Sequence, residues 1–73
     1  MKLIIENTSK IVELNGVPAR IWEGQTESGI PVHCYIVRVA KKDDQHDEEF
    51  ARELRKEKTP SAAVEAIPLR LIL

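Results

Sequence analysis

Residues 10–22 read Lys-Ile-Val-Glu-Leu-Asn-Gly-Val-Pro-Ala-Arg-Ile-Trp, and this stretch decides the fold that we expect. Asn15-Gly16 separates two apolar segments, and it is the strongest short signal for a two-residue type I′ hairpin, because both central residues of that turn need a positive φ. Leu14 and Val17 then form a hydrogen-bonded pair, and the flanking segments become antiparallel strands. The stretch therefore predicts a β-hairpin at the centre of the fold.

A second turn is predicted at Glu27-Ser28-Gly29, between a strand over residues 17–26 and a strand over residues 31–40. Backbone groups along a strand point alternately to its two neighbours. A two-residue loop at this turn conflicts with the alternation that the first hairpin sets, whereas a three-residue loop with its glycine left-handed in a G1 bulge agrees with it. We therefore predict the three-residue loop, which pairs Thr26 with Ile30.

This register sorts the side chains of the strands onto two faces. One face is almost wholly apolar, and we expect it to be buried; it holds Val12, Leu14, Val17, Ala19, Ile21, Tyr35, Val37 and Val39. The other face is mixed and holds Ile11, Glu13, Pro18, Arg20, Trp22, Val32, Cys34, Ile36 and Arg38. Its centre is apolar and its border is charged, so the two faces are expected to differ in role.

The N-terminal segment predicts another strand. Residues 2–7 form a short segment that is rich in apolar and β-branched side chains, and residues 10–14 resume the same pattern after the polar Asn7-Thr8-Ser9. The two segments form either a hairpin or one long bulged strand, and the pattern leaves both alternatives open. Asn7-Thr8-Ser9 is also formally a glycosylation sequon, but we interpret it as a polar turn because no secretory signal precedes it.

The C-terminal half predicts helices and a last strand. Residues 47–57 begin with acidic residues and end with basic ones, as suits a helix dipole, and their apolar stripe is only Phe50, Ala51 and Leu54. Thr59 and Pro60 predict the start of a second short helix, which places Ala63, Val64 and Ile67 on one face. Residues 68–73 predict a strand that inserts into the sheet, with Leu69, Leu71 and Leu73 on one side.

Together these elements predict a single small α+β domain over residues 1–73. Its sheet is expected to be an antiparallel meander of three or four strands, with one or two short helices packed on the apolar face and a C-terminal strand completing the sheet. Val, Ile, Leu and Phe make up 21 of the 73 residues. This share exceeds the roughly 20% that marks disordered chains, so a folded core is expected.

Charge and cysteine content narrow the function classes. The formal net charge is −1, which argues against a strongly basic nucleic-acid surface, and 13 of the 23 charged side chains fall in residues 41–58. Cys34 is the only cysteine, so no intramolecular disulfide forms. Only three consecutive apolar residues follow Lys2, too few for a signal peptide or a membrane span. We expect a soluble, cytoplasmic protein with no membrane association.

Chemistry-bearing residues are few and scattered. His33 and Cys34 are adjacent, but neighbouring side chains of a strand point to opposite faces, so they do not form a catalytic pair. Glu23 is instead the expected cross-strand neighbour of His33. The acidic run at residues 43–49 lacks the spacing of a calcium loop, and no second ligand pair completes a zinc site. The sequence therefore predicts no catalytic residue, no cofactor and no metal, and we expect a non-enzymatic protein.

The mixed face supplies the candidate partner-binding residues, which are Arg20, Trp22, Cys34, Ile36 and Arg38. Trp and Arg are enriched at interface hot spots, and here they border an apolar centre. We expect a protein partner or self-association through this face, unless a helix or the last strand of the same chain covers it. The alternative function is a small nucleic-acid-associated regulator that uses the basic residues of the 52–58 helix: Arg52, Arg55, Lys56 and Lys58.

Three parts of the chain carry a resemblance: residues 5–12 (Ile-Glu-Asn-Thr-Ser-Lys-Ile-Val), residues 15–34, and residues 66–73 (Ala-Ile-Pro-Leu-Arg-Leu-Ile-Leu). They resemble small uncharacterised proteins encoded by bacteriophages and prophages of Gram-negative bacteria. The resemblance leaves out the charged stretch at residues 41–58. It implies no activity and transfers no site residue, but it suggests an accessory, structural or host-modulating role.

Overall fold

The computed structural model describes residues 1–73 and shows a four-stranded sheet with two short helices. The elements are β1 (Leu3–Leu14), β2 (Val17–Thr26), β3 (Pro31–Ile36), α1 (Asp47–Arg55), α2 (Ala62–Glu65) and β4 (Arg70–Leu71). The strand order is β3-β2-β1-β4. The predicted α+β class is confirmed. The expectation of a purely antiparallel meander is wrong. After β3 the chain passes through both helices, and β4 then pairs with β1 in parallel.

Both predicted turns have the expected geometry. Asn15 and Gly16 have φ angles of 50° and 84°, so both central residues are left-handed as a type I′ turn requires. Thr26 donates its N–H to the Ile30 carbonyl at 2.9 Å, and Gly29 closes the loop with a φ of 94°. The three-residue loop and its register are therefore confirmed.

The N-terminal segments form one long bulged strand, which decides between the two alternatives. β1 pairs with β2 from Leu3 to Leu14, but the register shifts between Asn7 and Ile11. Asn7 pairs with Trp22 and Ile11 pairs with Arg20, so three residues of β1 lie opposite Ile21 alone. Because the insertion is two residues, the alternation of side chains is the same on both sides of the bulge.

The bulge holds two buried polar side chains, Asn7 and Thr8. The Thr8 hydroxyl donates to the Ile21 carbonyl at 2.7 Å and accepts from the Lys10 N–H at 3.2 Å. The Asn7 side-chain amide donates to the Leu54 carbonyl of α1 at 2.8 Å. A buried and bonded Asn7 amide is not presented for glycosylation. The interpretation of Asn7-Thr8-Ser9 as a turn is wrong, because all three residues lie within β1.

The chain crosses the outer edge of β1 at this bulge. Lys58 donates its N–H to the Asn7 carbonyl at 2.9 Å and forms an isolated parallel bridge with Thr8. After this crossing α2 packs Val64 on Val12 and Ile21, whereas before it α1 lies beside Trp22 through Leu54. One helix therefore packs on the apolar face as predicted. The other lies on the opposite face, because the edge contact at Lys58 carries the chain from one face to the other.

The core lies on the face predicted to be apolar. Val12 and Ile21 pack with Val64 of α2, and Tyr35, Ile67 and Leu71 border this cluster. Of the residues predicted for this face, Val17, Val37 and Val39 are exceptions, with exposures of 45%, 60% and 39%. Val17 is the first residue of β2, next to the Asn15-Gly16 turn. Val37 and Val39 lie beyond β3, which ends at Ile36 and not at Ala40.

Pro18 explains the early end of β3. Every second residue of β2, from Thr26 to Arg20, forms a hydrogen-bonded pair with β3, and the last of these pairs is Arg20 with Ile36. In the next such pair, the N–H of residue 18 would donate to the carbonyl of Arg38. Proline has no N–H, so the ladder stops one step earlier. The residues after Ile36 therefore leave the sheet.

The C-terminal elements are shorter than predicted. α1 ends at Arg55, and the cap of α2 is Ser61, whose hydroxyl accepts from the Val64 N–H, rather than Thr59. The bridge at Lys58 keeps the backbone extended there, so α2 begins later than predicted, at Ala62. β4 spans two residues because the chain turns away after Asn15, so Leu73 stays exposed; Leu69, just before β4, is exposed as well.

Gly24 supports the close approach of β1 and β2, and replacing it tests this packing. A Cβ at Gly24 would lie 2.8 Å from the Ile5 Cα and closer still to the Ile4 carbonyl oxygen. Both are backbone atoms that can move only if the strands separate. We expect Gly24→Ala to lower the free energy of unfolding by about 1–3 kcal/mol, as measured by urea denaturation.

Gln25→Ala is the matched control, since Gln25 is the exposed neighbour on the same strand. It should change the free energy of unfolding by less than about 0.5 kcal/mol. Equal effects of the two substitutions would show that the strands do not approach each other as described.

Candidate interaction surface

The sheet has a second face, opposite the core, which we call the Trp22 face. The strand register places the following residues on it: Leu3, Ile5, Asn7, Ile11 and Glu13 of β1, Pro18, Arg20, Trp22, Gly24 and Thr26 of β2, and Val32, Cys34 and Ile36 of β3. Trp22 pairs with Asn7 on one side and with Cys34 on the other. Four of the five candidate residues therefore lie together, and Arg38 follows just beyond the end of β3.

α1 covers part of the Trp22 face without forming a core there. No residue of α1 is buried, and its apolar side chains Phe50 and Leu54 are only half-buried. Ala51, which the sequence placed in the same apolar stripe, is exposed. A helix of this length is marginal without packing, so its contacts with the sheet must stabilise it.

Polar contacts attach α1 and the segment after it to the sheet. The Asn7 amide bonds the Leu54 carbonyl near the end of the helix. The Arg20 guanidinium lies 3.1 Å from the Glu57 carboxylate and donates to the Thr8 carbonyl at 2.8 Å. Arg20 is therefore occupied within the chain, and its first role is to hold this segment against the bulge.

Two grooves open on either side of the contact between α1 and the sheet. One has a volume of about 230 Å³ and is lined by Arg20, Trp22, Ile36, Arg38 and Leu54, among others. The second has a volume of about 360 Å³ and lies between Ile5, Trp22, Phe50 and Leu54. Trp22 and Leu54 line both grooves.

No apolar side chain of the Trp22 face is buried. The four buried apolar residues are Val12, Ala19, Ile21 and Val64, and all of them belong to the opposite side of the sheet. On the Trp22 face, Trp22, Cys34 and Ile36 are half-buried. Towards the Glu27–Gly29 turn, Leu3 and Ile30 are 38% and 59% exposed. The apolar surface thus continues past the helix to the end of the sheet.

Sequence reasoning missed two contributors to this surface. Asn7 is predicted to lie in a turn because it begins the polar run Asn7-Thr8-Ser9, but the structure buries its amide in the bulge of β1. Val39 is predicted for the core face, but it lines both grooves beside Trp22. This error arises because β3 ends at Ile36, and side chains beyond the end of a strand no longer alternate between the two faces of the sheet.

The Glu23 carboxylate lies on the core face, where its neighbours lower its pKa. Its predicted cross-strand pairing with His33 is confirmed. The Ser61 backbone N–H, 2.9 Å away, is the main cause of a lowered pKa at Glu23, and Lys58 and His33 add to it against the opposing effect of burial. Glu23 thereby fixes the start of α2 to β2.

The remaining charged groups do not assemble a metal centre. No cluster of three or more His, Cys, Asp or Glu side chains could hold a metal ion. In the acidic run, Asp47 pairs with Lys41 at 2.7 Å, and Asp43 lies 3.6 Å from His46. No helix is long and apolar enough to cross a membrane.

The contact between Asn7 and α1 can be tested through the single tryptophan. Asn7→Ala removes the bond to the Leu54 carbonyl and should cost about 1–2 kcal/mol of the free energy of unfolding. We expect α1 to separate from the sheet, so Trp22 emission shifts to longer wavelength and acrylamide quenching increases. Fluorescence of the folded protein measures both changes.

Lys10→Ala is the control for this experiment, because the Lys10 ammonium bonds a backbone carbonyl of the other helix, at Glu65. It should leave Trp22 emission unchanged. An unchanged spectrum for Asn7→Ala as well would contradict the assigned role of Asn7.

The lowered pKa of Glu23 predicts a pH dependence of stability. A carboxylate with a folded pKa below its ordinary value stabilises the fold above that ordinary value, and the contribution is lost as pH falls through the folded pKa. Glu23→Gln should therefore be less stable than wild type near neutral pH, and the difference should vanish in acid. Thermal unfolding from about pH 7 to about pH 3 measures it.

Glu27→Gln removes a charge from an exposed turn residue and serves as the control. Its melting temperature should follow the wild-type curve across the whole range. A constant difference between Glu23→Gln and wild type at every pH would argue that the carboxylate charge has no part in stability.

The chain matches no protein-family model, no curated protein and no solved structure. The resemblance to phage and prophage proteins therefore stays a prediction.

Proposed function

We propose that this protein is a non-enzymatic protein-interaction module that binds a protein partner through the Trp22 face. The part that we assign to the partner runs from the groove beside Trp22, Ile36 and Arg38 to the exposed end at Leu3 and Ile30. The resemblance to phage and prophage proteins suggests an accessory or structural role, in which short binding modules are common.

One observation carries this proposal: the Trp22 face keeps its apolar side chains half-buried or exposed, although a helix lies on it. A contiguous apolar surface in contact with water is costly, and such surfaces typically mark interaction sites. Trp22 and Arg38 add residue types that are enriched at binding hot spots. Arg38 forms no ion pair within the chain, so its guanidinium is available at the border of the groove.

The nucleic-acid alternative has weaker support in the arrangement of charge. Residues 47–58 hold four basic and five acidic side chains, so the helix and its extension have no net positive charge. Lys58, one of the four basic residues, lies 3.8 Å from the Glu23 carboxylate on the core side. Phosphate binding needs accumulated positive charge, and this segment does not concentrate it.

A matched pair of substitutions tests the proposal. Ile30 lies at the exposed end of the Trp22 face with 59% exposure, and Ile4 lies on the opposite face with 61% exposure. Ile30→Asp and Ile4→Asp add the same charge at equal exposure on different faces. We expect immobilised wild type and Ile4→Asp to retain the same proteins from a lysate of a Gram-negative bacterium, and Ile30→Asp to lose them.

Equal retention by all three proteins would refute binding through this face, and so would the absence of any retained protein. Duplex DNA of random sequence, titrated at low ionic strength, separates the alternative function. Binding to DNA that weakens steeply with added salt would favour the nucleic-acid-associated regulator.

A further inference from the structure

β3 is an open edge of the sheet. The Thr26–Ile30 hydrogen bond fixes which groups of the ladder face β2, so the residues of β3 that bond to β2 are Val32, Cys34 and Ile36. The backbone groups of His33 and Tyr35 point away from the sheet. No other part of the chain bonds them, because none of the backbone or side-chain hydrogen bonds outside the strands reaches either group.

This edge has little of the protection that exposed edges usually carry. Natural edges are blunted by charged residues, proline or bulges, and residues 30–37 contain no charged side chain. Pro31 hinders pairing with another strand only at the start of β3. The neighbouring part of β2 that extends past β3 is, in contrast, closed by Pro18. The unprotected stretch is therefore confined to His33–Ile36.

The size of the core gives a second, independent reason to expect association. The 73 residues bury four apolar side chains, and the single cysteine provides no internal disulfide. Chains of this size generally need a disulfide, a metal or an oligomeric contact to add to a small core. β3 offers such a contact, because its edge is open and carries no charged side chain.

We propose that β3 pairs with β3 of a second copy of the chain, antiparallel and around a two-fold axis at Cys34. The pairing joins two four-stranded sheets into one continuous sheet, with the two Trp22 faces on the same side. It satisfies the outward N–H groups of His33 and Tyr35 in both copies. This proposal concerns the edge and does not depend on the Trp22 face having another partner.

The side chains favour this register over its neighbour. With the axis at Cys34, Val32 lies opposite Ile36 of the second copy, and His33 lies opposite Tyr35 of the second copy. Apolar β-branched pairs stabilise a sheet, and His33 and Tyr35 already interact within the chain, with ring centroids 5.4 Å apart. An axis at His33 would instead place two histidines opposite each other.

The charges at the two ends of β3 favour the antiparallel direction. The strand is preceded by Glu27 in an exposed turn and followed by Arg38, which has no ion pair in the chain. An antiparallel arrangement brings the Glu27 end of one copy towards the Arg38 end of the other. A parallel arrangement would bring the two Arg38 side chains together, which is unfavourable.

The experiment removes one outward N–H without changing any side chain. The chain can be assembled from peptides 1–33 and 34–73 by ligation at Cys34, so N-methylated residues can be placed on either edge. We expect the unmodified chain to show twice its 8.3 kDa mass in sedimentation equilibrium. The chain with N-methyl-Tyr35 should show the single mass and an unchanged circular dichroism spectrum.

N-methyl-Leu3 is the matched control. The bond from Glu27 to the Lys2 carbonyl shows that Lys2 faces β2, so the Leu3 N–H points outward on the other open edge. This control should keep the doubled mass. A monomeric unmodified chain, or a dimer that survives N-methylation at Tyr35, would overturn the proposal, and loss of the dimer with N-methyl-Leu3 alone would assign the contact to β1.

Cys34 reports the register of the pairing. The two thiols lie directly opposite each other if the axis is at Cys34, so diamide, which accepts the two thiol hydrogens, should convert the dimer to a disulfide-linked species. A dimer that diamide does not cross-link would contradict the register. Both results are independent of lysate binding by the Trp22 face, so the two proposals fail separately.

Discussion

The buried hydrogen bonds of Asn7 and Thr8 are the constraint on which the arrangement of this molecule depends. An apolar strand that carries two buried polar side chains is stable only if every donor and acceptor has a partner. Thr8 bonds within the bulge, and Asn7 bonds α1 through its side chain and Lys58 through its carbonyl. These bonds set the point at which the chain crosses the edge of β1, so they decide which helix lies on which face.

The crossing gives the two faces of one sheet different characters. The core face receives α2, whose Val64 completes the cluster around Ile21. The Trp22 face receives α1, which is attached by the Asn7 bond and by the half-buried side chains of Phe50 and Leu54 and buries none of its own residues. The same sheet therefore has one face that supplies stability and one face that keeps apolar surface accessible. This asymmetry is the physical basis for the proposed role in protein binding.

Local rules predicted the part of the fold in which neighbouring residues decide the geometry. Asn15-Gly16 and the alternation of backbone groups up to Thr26 predicted both hairpins and the strand register, because each residue's hydrogen-bond direction fixes that of the next. The placement of the two helices could not be predicted in this way. It depends on Lys58 meeting Asn7, a contact between residues far apart in the chain, and no periodicity in either segment records it. Most of the candidate residues share a face as expected. Which helix covers them depends on the same contact between Lys58 and Asn7.

Amide hydrogen exchange, measured residue by residue, shows whether α1 covers the Trp22 face only lightly. We expect the amides of α1 to exchange through local opening, with rates nearly independent of low concentrations of denaturant. The amides of Val12 and Ile21 should exchange only through global unfolding. Exchange of the α1 amides as slow as that of Val12 and Ile21, with the same denaturant dependence, would instead show that α1 is part of the cooperative core and covers the face firmly.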